Sequence, residues 1–399
     1  MKPFSLLPEG GKGSDPHLLE EIRQRIHSHG PLSFAEYMDL ALYHPQWGYY
    51  ARSEDPVGPA DDRDYFTAPT RSAAFGSLVG RQVAECLQKV GGSGREWVEL
   101  GPGGGDLAVP VLQNLRDRGA AGPASGIRCT LVESSPYRRE SQARRLRERD
   151  LAEGVLWRTP QEWLEEGVPV RGCLVANEIL DAMPVHRLVY RDGGFQEVLV
   201  DWRASPVEIL APVSSAEVLE QAIRDCPAPR EGQELEVGLA ALKWLRRLAG
   251  RLERGYIIFL DYGYLAPEMY SLRHHRGTLL AYHRHTASEA YLRRVGRQDL
   301  TAHVNFSSLL EIASACGLQA RGPVSQGHFL LALGALDWFA DSGEDVPLAA
   351  RRGRKALQTL FLPGGMGESH QVIVLGTAGL DMDLTGLRPQ GRWPIPRSS

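Results

Sequence analysis

The stretch "WVELGPGGGDLAVP", Trp97 to Pro110, constrains the fold more than any other part of this 399-residue chain. An apolar run with strand character ends in Gly101, Gly103, Gly104 and Gly105, and a helical pattern begins directly after. Glycines at a strand-to-helix turn permit a tight bend and let a ligand approach the main chain closely. The helix start beyond the turn favours negative charge. A dinucleotide fingerprint, however, requires a final glycine where this chain has Asp106, and Glu99 sits just before the turn. Acids on both sides suit a cationic ligand. We therefore expect S-adenosyl-L-methionine, its positive groups near Glu99 and Asp106 and its carboxylate on the main-chain N–H groups. No G-x-x-x-x-G-K-[ST] sequence is present, which argues against a P-loop.

The remaining pattern extends this unit into a sheet. "IRCTLVESS", "VLWRTP", "GCLVANEI", "GYIIFLDYG" and "HQVIVLGT" read as short buried strands separated by helices. Right-handed crossovers make this a doubly wound α/β arrangement. Glu133, at the end of the second strand, is placed to accept from both ribose hydroxyls. Before the sheet, Asp15 and Pro16 open one helix, and Ser33 with Glu36 forms the capping box of a second. A long loop rich in Gly, Pro and aromatics follows, through residues 44–70, and its aromatics argue for a functional rather than a disordered segment. The domain reading is a helical lobe with cleft loop over 1–90 and a catalytic core over 91–399. That core carries an insertion at about 186–250, in which "VHRLVYRDGGFQEVLVDW" forms a hairpin. The tail over 388–399 reads as poorly ordered.

In open α/β sheets, ligands bind beyond the carboxyl ends of the strands. Asn177 and Glu178 lie there, and a helical turn over Ile179–Met183 would set Glu178 and Asp181 on one face. Asp261 ends the fifth strand at the same edge. These residues make Glu178 and Asp181 the candidate catalytic acids, assisted by Asp261 or His303. The run "YRRESQARRLRERD" reads as a solvated helix face. His274, His275, His283 and His285 read as a polar loop, without the partners a metal site needs.

A net charge of −4 gives no general attraction to nucleic acid. Five widely spaced cysteines without a C-x-x-C pair read as thiols in a reducing compartment. The N-terminus lacks the apolar core of a secretory signal, and the longest apolar run is too short to cross a bilayer. The expected location is cytoplasmic.

At these residues the chain resembles the MidA family, which includes a mitochondrial complex I assembly methyltransferase. The likeness runs through "SFAEYMDLALYHPQWGYY", "DYFTAPTRSAAFG", "VELGPGGGDLA", "LVESSP", "ANEILDAMPV", "LDYGY", "LTAHVNFSSL", "SQGHFLLALG" and "LFLPGGMGE". It implies a Rossmann-like seven-stranded methyltransferase sheet with a helical N-terminal lobe and S-adenosyl-L-methionine as cofactor. Carried over by position, Glu99, Gly101, Gly103 and Gly105 would cradle the cofactor and Glu133 the ribose. Tyr49, Tyr50, Thr67, Ala68 and Pro69 would line the cleft, and Asn177 joins the cofactor set. The resemblance also implies protein arginine methylation, with a respiratory complex I-type subunit as partner, and a mitochondrial matrix location for eukaryotic members. Three other readings remain open at this point. They are a partner-binding assembly factor that retains the pocket, a small-molecule methyltransferase and a nicotinamide-dependent oxidoreductase.

Overall fold

The computed structural model describes residues 11–51, 67–119, 126–339, 348–362 and 364–389. Much of the loop expected over 44–70 and of the tail after 388 lies outside the described residues. The chain divides into two compact units. One comprises Met1–Phe66, Glu178–Arg247 and Tyr262–Ile312; the other comprises Thr67–Asn177, Leu248–Asp261 and Ala313–Ser399.

The second unit is built on a sheet of β1 (Arg95–Leu100), β2 (Ile127–Val132), β3 (Val155–Arg158), β4 (Val170–Asn177), β5 (Leu252–Tyr264), β6 (Gln319–Ser325) and β7 (His370–Gly376). Their spatial order is β6-β7-β5-β4-β1-β2-β3. The pairs β5–β4, β4–β1, β1–β2 and β2–β3 are parallel, and β6–β7 is antiparallel. Trp97 to Leu100 and Gly172 to Ala176 are buried without a break, as strands covered on both faces require. The register sets Leu100 beside Val132 and Ala176, and Leu260 beside Asn177. The ends of four neighbouring strands therefore form one edge. Strand β6 carries Gly322 and Pro323 in mid-run, which the sheet's outer position tolerates and which hid it from a pattern reading.

The helix Ala73–Val90 belongs to this unit, so the boundary expected at residue 90 falls earlier. Its apolar face explains the difference. Phe75, Leu78, Val79, Val83 and Leu87 are buried in the same core as Trp97, Leu131 and Val175. A Cβ on Gly76 would stand 2.2 Å from Pro110, so only glycine lets this helix close on the helix Ala108–Asp117.

In the first unit the helix Pro16–His29 is capped by Asp15, whose carboxylate accepts from His17 N at 3.0 Å and Leu18 N at 3.3 Å. Ser33 and Glu36 form the expected capping box of Phe34–Tyr43. Such caps contribute about 1 kcal/mol each. The insertion contains the expected hairpin. His186–Arg191 and Gly194–Trp202 turn at Asp192 and Gly193, which have φ of 52° and 79°. Pro206–Pro212 and Glu234–Val237 extend it, and Leu32–Ser33 adds an edge against Val200 and Leu199. The N-terminal helices and the insertion thus share one core, which includes Leu18, Ile22, Phe34, Val185 and Val200. Buried Arg187 ties them further. Its guanidinium lies 4.9 Å from the Phe34 ring and 4.6 Å from the Tyr291 ring, and pairs with Glu208 at 2.5 Å and Glu234 at 3.3 Å. A three-stranded antiparallel sheet of Leu280–His283, Thr286–Ser288 and Asp299–Thr301 completes this unit, and Val304–Asn305 pairs in parallel with Gly263 and Tyr264. Among the described residues, no helix is long and apolar enough to cross a membrane.

Candidate functional site

The glycine loop forms as the sequence requires. Gly101, Gly103 and Gly105 have φ of 64°, 53° and 81°, a region other residues adopt only with strain. Gly101 N donates to Val132 O at 2.9 Å and Gly105 N to Pro102 O at 2.8 Å, so the loop folds back over the ends of β1 and β2. A Cβ on Gly103 would meet no atom of the described residues within 4 Å, its chain neighbours aside, so among them this part of the main chain is open.

Two side chains from the helix Pro136–Arg147 fasten the loop from behind. Gln142 Nε2 donates to Gly103 O at 2.7 Å, and Gln142 Oε1 accepts from Trp157 Nε1 at 3.1 Å. Arg145 donates to Gly104 O at 2.7 Å and to Asp106 Oδ1 at 2.6 Å. Two sequence expectations change here. Asp106 is engaged by Arg145 and acts as a clasp for the loop, rather than as a second acid for a cationic ligand. The helix read as a solvated face carries Gln142, which is fully buried, and Arg138, which is 9% exposed. Gln142 and Arg145 stand three apart, on one side of the helix. That spacing is the signal a sequence reading had for them.

Glu99 is different. It is 3% exposed, and its Oε2 has no hydrogen-bond partner among the described residues. Burial, with Asp106 and Glu133 nearby, pushes its carboxyl up to about 8. Such an acid favours a cation beside it, which would restore its charge. Glu133 is 5% exposed and is also raised, chiefly by burial. It accepts from Ser135 N at 2.9 Å and Ser134 Oγ at 3.4 Å, both on Oε1. Asn177 ends β4, and Asp261, 1% exposed, follows Leu260 in β5 at the same edge. Thr67 N donates to Thr70 Oγ1 at 3.0 Å, at the start of the short helix Ala68–Arg71 that contains buried Pro69. These residues fit a ligand with a positive head and a polar hydroxylated body. They offer an orphaned buried carboxylate oxygen, an open glycine cradle and an acid one strand away.

The comparisons with known proteins agree with that chemistry. Residues 78–324 match the model of a family described as "Putative S-adenosyl-L-methionine-dependent methyltransferase". The chain belongs to this family. It is MidA-like, as the sequence resemblance implied, and its cofactor is S-adenosyl-L-methionine. Among similar solved structures is a Burkholderia thailandensis protein bound to S-adenosyl-homocysteine. The two are 30% identical with a TM-score of 0.83, covering 93% of this chain and 94% of that one. Similar curated proteins include the Drosophila melanogaster "Protein arginine methyltransferase NDUFAF7 homolog, mitochondrial". It is 33% identical, over 81% of this chain and 75% of its own length. The Danio rerio "Protein arginine methyltransferase NDUFAF7, mitochondrial" is 30% identical, over 91% and 88%. In this MidA-like chain the Rossmann-like seven-strand path carries the glycine loop.

The remaining candidate residues fall in the first unit. The helical turn expected over Ile179–Met183 does not form. Glu178 has φ of 50°, and Met183 N closes a single turn onto Leu180 O at 3.2 Å. Pro184 disfavours helix at Met183, which explains the difference. Glu178 and Asp181 therefore do not share a helical face; Glu178 is half-buried and Asp181 is 5% exposed. Burial pushes Asp181 up to about 6, against a hydrogen bond from Tyr262 that favours its charged form. Its Oδ1 has no partner among the described residues. His303 lies close by. Ala302 N donates to Asp181 O at 2.8 Å, and the His303 ring meets that of Tyr262 edge-on at 5.2 Å. Burial lowers His303 to about 4, so the ring is neutral near pH 7. Tyr49 is fully buried as packing, while Tyr50 reaches Asp299 with its hydroxyl at 2.9 Å. His274 stacks on Tyr264 at 4.7 Å. Among the described residues no group of three or more His, Cys, Asp or Glu is placed to hold a metal. Cys86, Cys129, Cys173 and Cys226 are buried and Cys316 is exposed, none of them in a disulfide.

Proposed function

We propose that this methyltransferase modifies an arginine side chain of a protein, as the names of its curated relatives say of them. The observation that carries the acceptor side is the turn after β4. It holds a buried acid, Asp181, with one oxygen that has no hydrogen-bond partner among the described residues, near a non-glycine residue, Glu178, at positive φ. Backbone outliers of this kind cost about 1–3 kcal/mol and persist where they serve a site.

The bound cofactor supplies an electrophilic methyl group on a sulfonium. Glu99 and the glycine loop are assigned to hold it, Glu133 to its ribose, with Asn177, Thr67 and Pro69 completing the cofactor set. Guanidinium chemistry sets the other requirement. Removing a proton from a group of pKa about 13 at pH 7 would cost roughly 8 kcal/mol at about 1.36 per unit. Glu178 and Asp181 would avoid this by orienting the guanidinium and accepting its proton as the methyl group arrives. Alignment of this sort supplies about 7–11 kcal/mol in favourable cases. Asp261 stays a candidate assistant at the strand edge. His303, neutral and packed among Tyr262, Tyr264 and His274, is better suited to positioning Tyr262 than to proton transfer.

A respiratory complex I-type subunit is the protein partner we favour, and the cytoplasm the location, although the curated relatives are named mitochondrial. One experiment tests the proposal. Purified protein is incubated with methyl-labelled S-adenosyl-L-methionine and host lysate, and the labelled product is hydrolysed to amino acids. Label on methylated arginine is expected; label confined to another residue or to small molecules would overturn the arginine assignment.

A further inference from the structure

The amino ends of β1 and β2 form the edge of the sheet opposite the glycine loop, and a cavity of about 610 Å³ opens there. Arg95 begins β1, Ile127 begins β2, and the two are paired in register. The six residues of β1, at about 3.3 Å each, separate this edge from the loop. The helix Ala73–Val90 supplies one wall. Its Arg81, Glu85 and Gln88 are spaced i, i+4 and i+7, so they share one stripe. Arg118, just past the helix Ala108–Asp117, faces the same cavity.

Three guanidinium groups and one carboxylate line this space among the described residues. The carboxylate is taken up by neutral donors: Thr385 N reaches Glu85 Oε2 at 3.0 Å, and Gln82 Nε2 reaches the same oxygen at 2.9 Å. Arg81 donates to Leu333 O at 2.7 Å and pairs with exposed Asp337 at 3.1 Å. Arg95 and Arg118 are each held by a neutral oxygen instead. Arg95 Nη1 donates to Leu87 O at 3.1 Å, and its buried Nε has no hydrogen-bond partner among the described residues. Arg118 Nε donates to Asn114 Oδ1 at 3.0 Å. Guanidinium groups are permanently charged, and their planar forks match the oxygens of carboxylates and phosphates. Ala84, Ile127 and Leu333 add apolar surface beside them. The volume falls among those of small-molecule sites, about 300–1,000 Å³. A bare inorganic ion would leave the apolar surface unused.

We propose that this cavity is a second ligand site, separate from the cofactor loop. It takes a small organic oxyanion, a phosphomonoester or a carboxylate on an apolar body, and Arg95 and Arg118 hold the charged head. The site does not depend on the identity of the methyl acceptor.

The test uses the full chain saturated with S-adenosyl-homocysteine, which keeps the probes out of the cofactor site. Calorimetry compares phenyl phosphate and phenylacetate with neutral phenol and with inorganic phosphate. The tighter of the two organic anions is expected to bind at least tenfold more tightly than phenol and severalfold more tightly than inorganic phosphate. Which of them it is identifies the preferred head group. Arg95→Gln should weaken that binding at least tenfold. Arg118→Gln and Gln88→Glu alter exposed side chains and should each weaken it severalfold, with melting temperature and S-adenosyl-homocysteine affinity unchanged. These two variants decide the matter even where Arg95→Gln lowers the melting temperature. No binding of either organic anion, binding no tighter than that of phenol, or wild-type affinity in both Arg118→Gln and Gln88→Glu would overturn the site. Inorganic phosphate binding as tightly as both organic anions would overturn the organic ligand.

Discussion

The glycine loop after β1 and the turn after β4 both follow the carboxyl end of a strand and both carry acids, yet they are held in opposite ways. The loop is clasped by its neighbours in the same βα unit: Gln142 holds Gly103, and Arg145 holds Gly104 and Asp106. The turn takes its supports from far along the chain, with Tyr43 on Ala182, Tyr262 on Asp181 and Ala302 on Asp181 O. A local cradle suits a cofactor that never changes. Under the arginine reading proposed above, a turn assembled from remote segments lets acceptor recognition vary without disturbing that cradle.

The largest expected effect separates the two regions outright. Glu178→Gln should lower turnover by about 10²–10⁴-fold, the usual range for loss of a proton-transfer group, with calorimetric affinity for S-adenosyl-L-methionine unchanged. Loss of cofactor binding in this variant would mean that the turn serves the cradle as well. Gly103→Val should do the converse, weakening cofactor binding by about a hundredfold, or about 2.7 kcal/mol. Its side chain would project into space that the described residues leave open, and Val resists the φ of 53°. A third measurement uses Glu99. Its carboxyl is raised from 4.5 to about 8, so the folded state holds a proton that the unfolded chain has released. Stability from this group is therefore greatest below about 4.5 and declines as pH rises towards 8. A cationic ligand stabilises the ionised form, so affinity for S-adenosyl-L-methionine should increase from pH 6 to 8, by at most about tenfold per unit. Titrations at several pH values should show that slope in the wild type and lose it in Glu99→Gln. The smallest effect belongs to the clasp. Arg145→Ala should weaken cofactor binding severalfold and lower stability by about 1 kcal/mol, a modest value because this pair is partly exposed. Thermal unfolding with and without S-adenosyl-homocysteine would measure both.

What the sequence made legible follows the same division. β4 and β5 carry unbroken apolar runs, Cys173–Ala176 and Tyr256–Leu260, and the glycines between β1 and its helix have one steric meaning. Both N-terminal helix caps could be read residue by residue because capping is local. The clasp was harder, since Arg145 lies among many arginines whose pattern resembles a wet helix face. On the acceptor side, Pro184 prevented the turn of helix that would have paired Glu178 with Asp181. Tyr282 and Asp299 reach one another only through strand pairing, which no spacing along the chain records. The domain boundary was misplaced for a related reason. The apolar face of Ala73–Val90 declares that it is buried, but not against which unit.

The cation enclosed by Phe34, Tyr291, Glu208 and Glu234 has an evolutionary consequence. Arg187 arises from the insertion, whereas Phe34 arises from the N-terminal lobe. Trimming away the first fifty residues would leave that guanidinium without one of its aromatic lids and would remove the strand partners of Leu199 and Val200. The two segments, remote in the gene, are consequently bound to be inherited, shortened or exchanged as a pair.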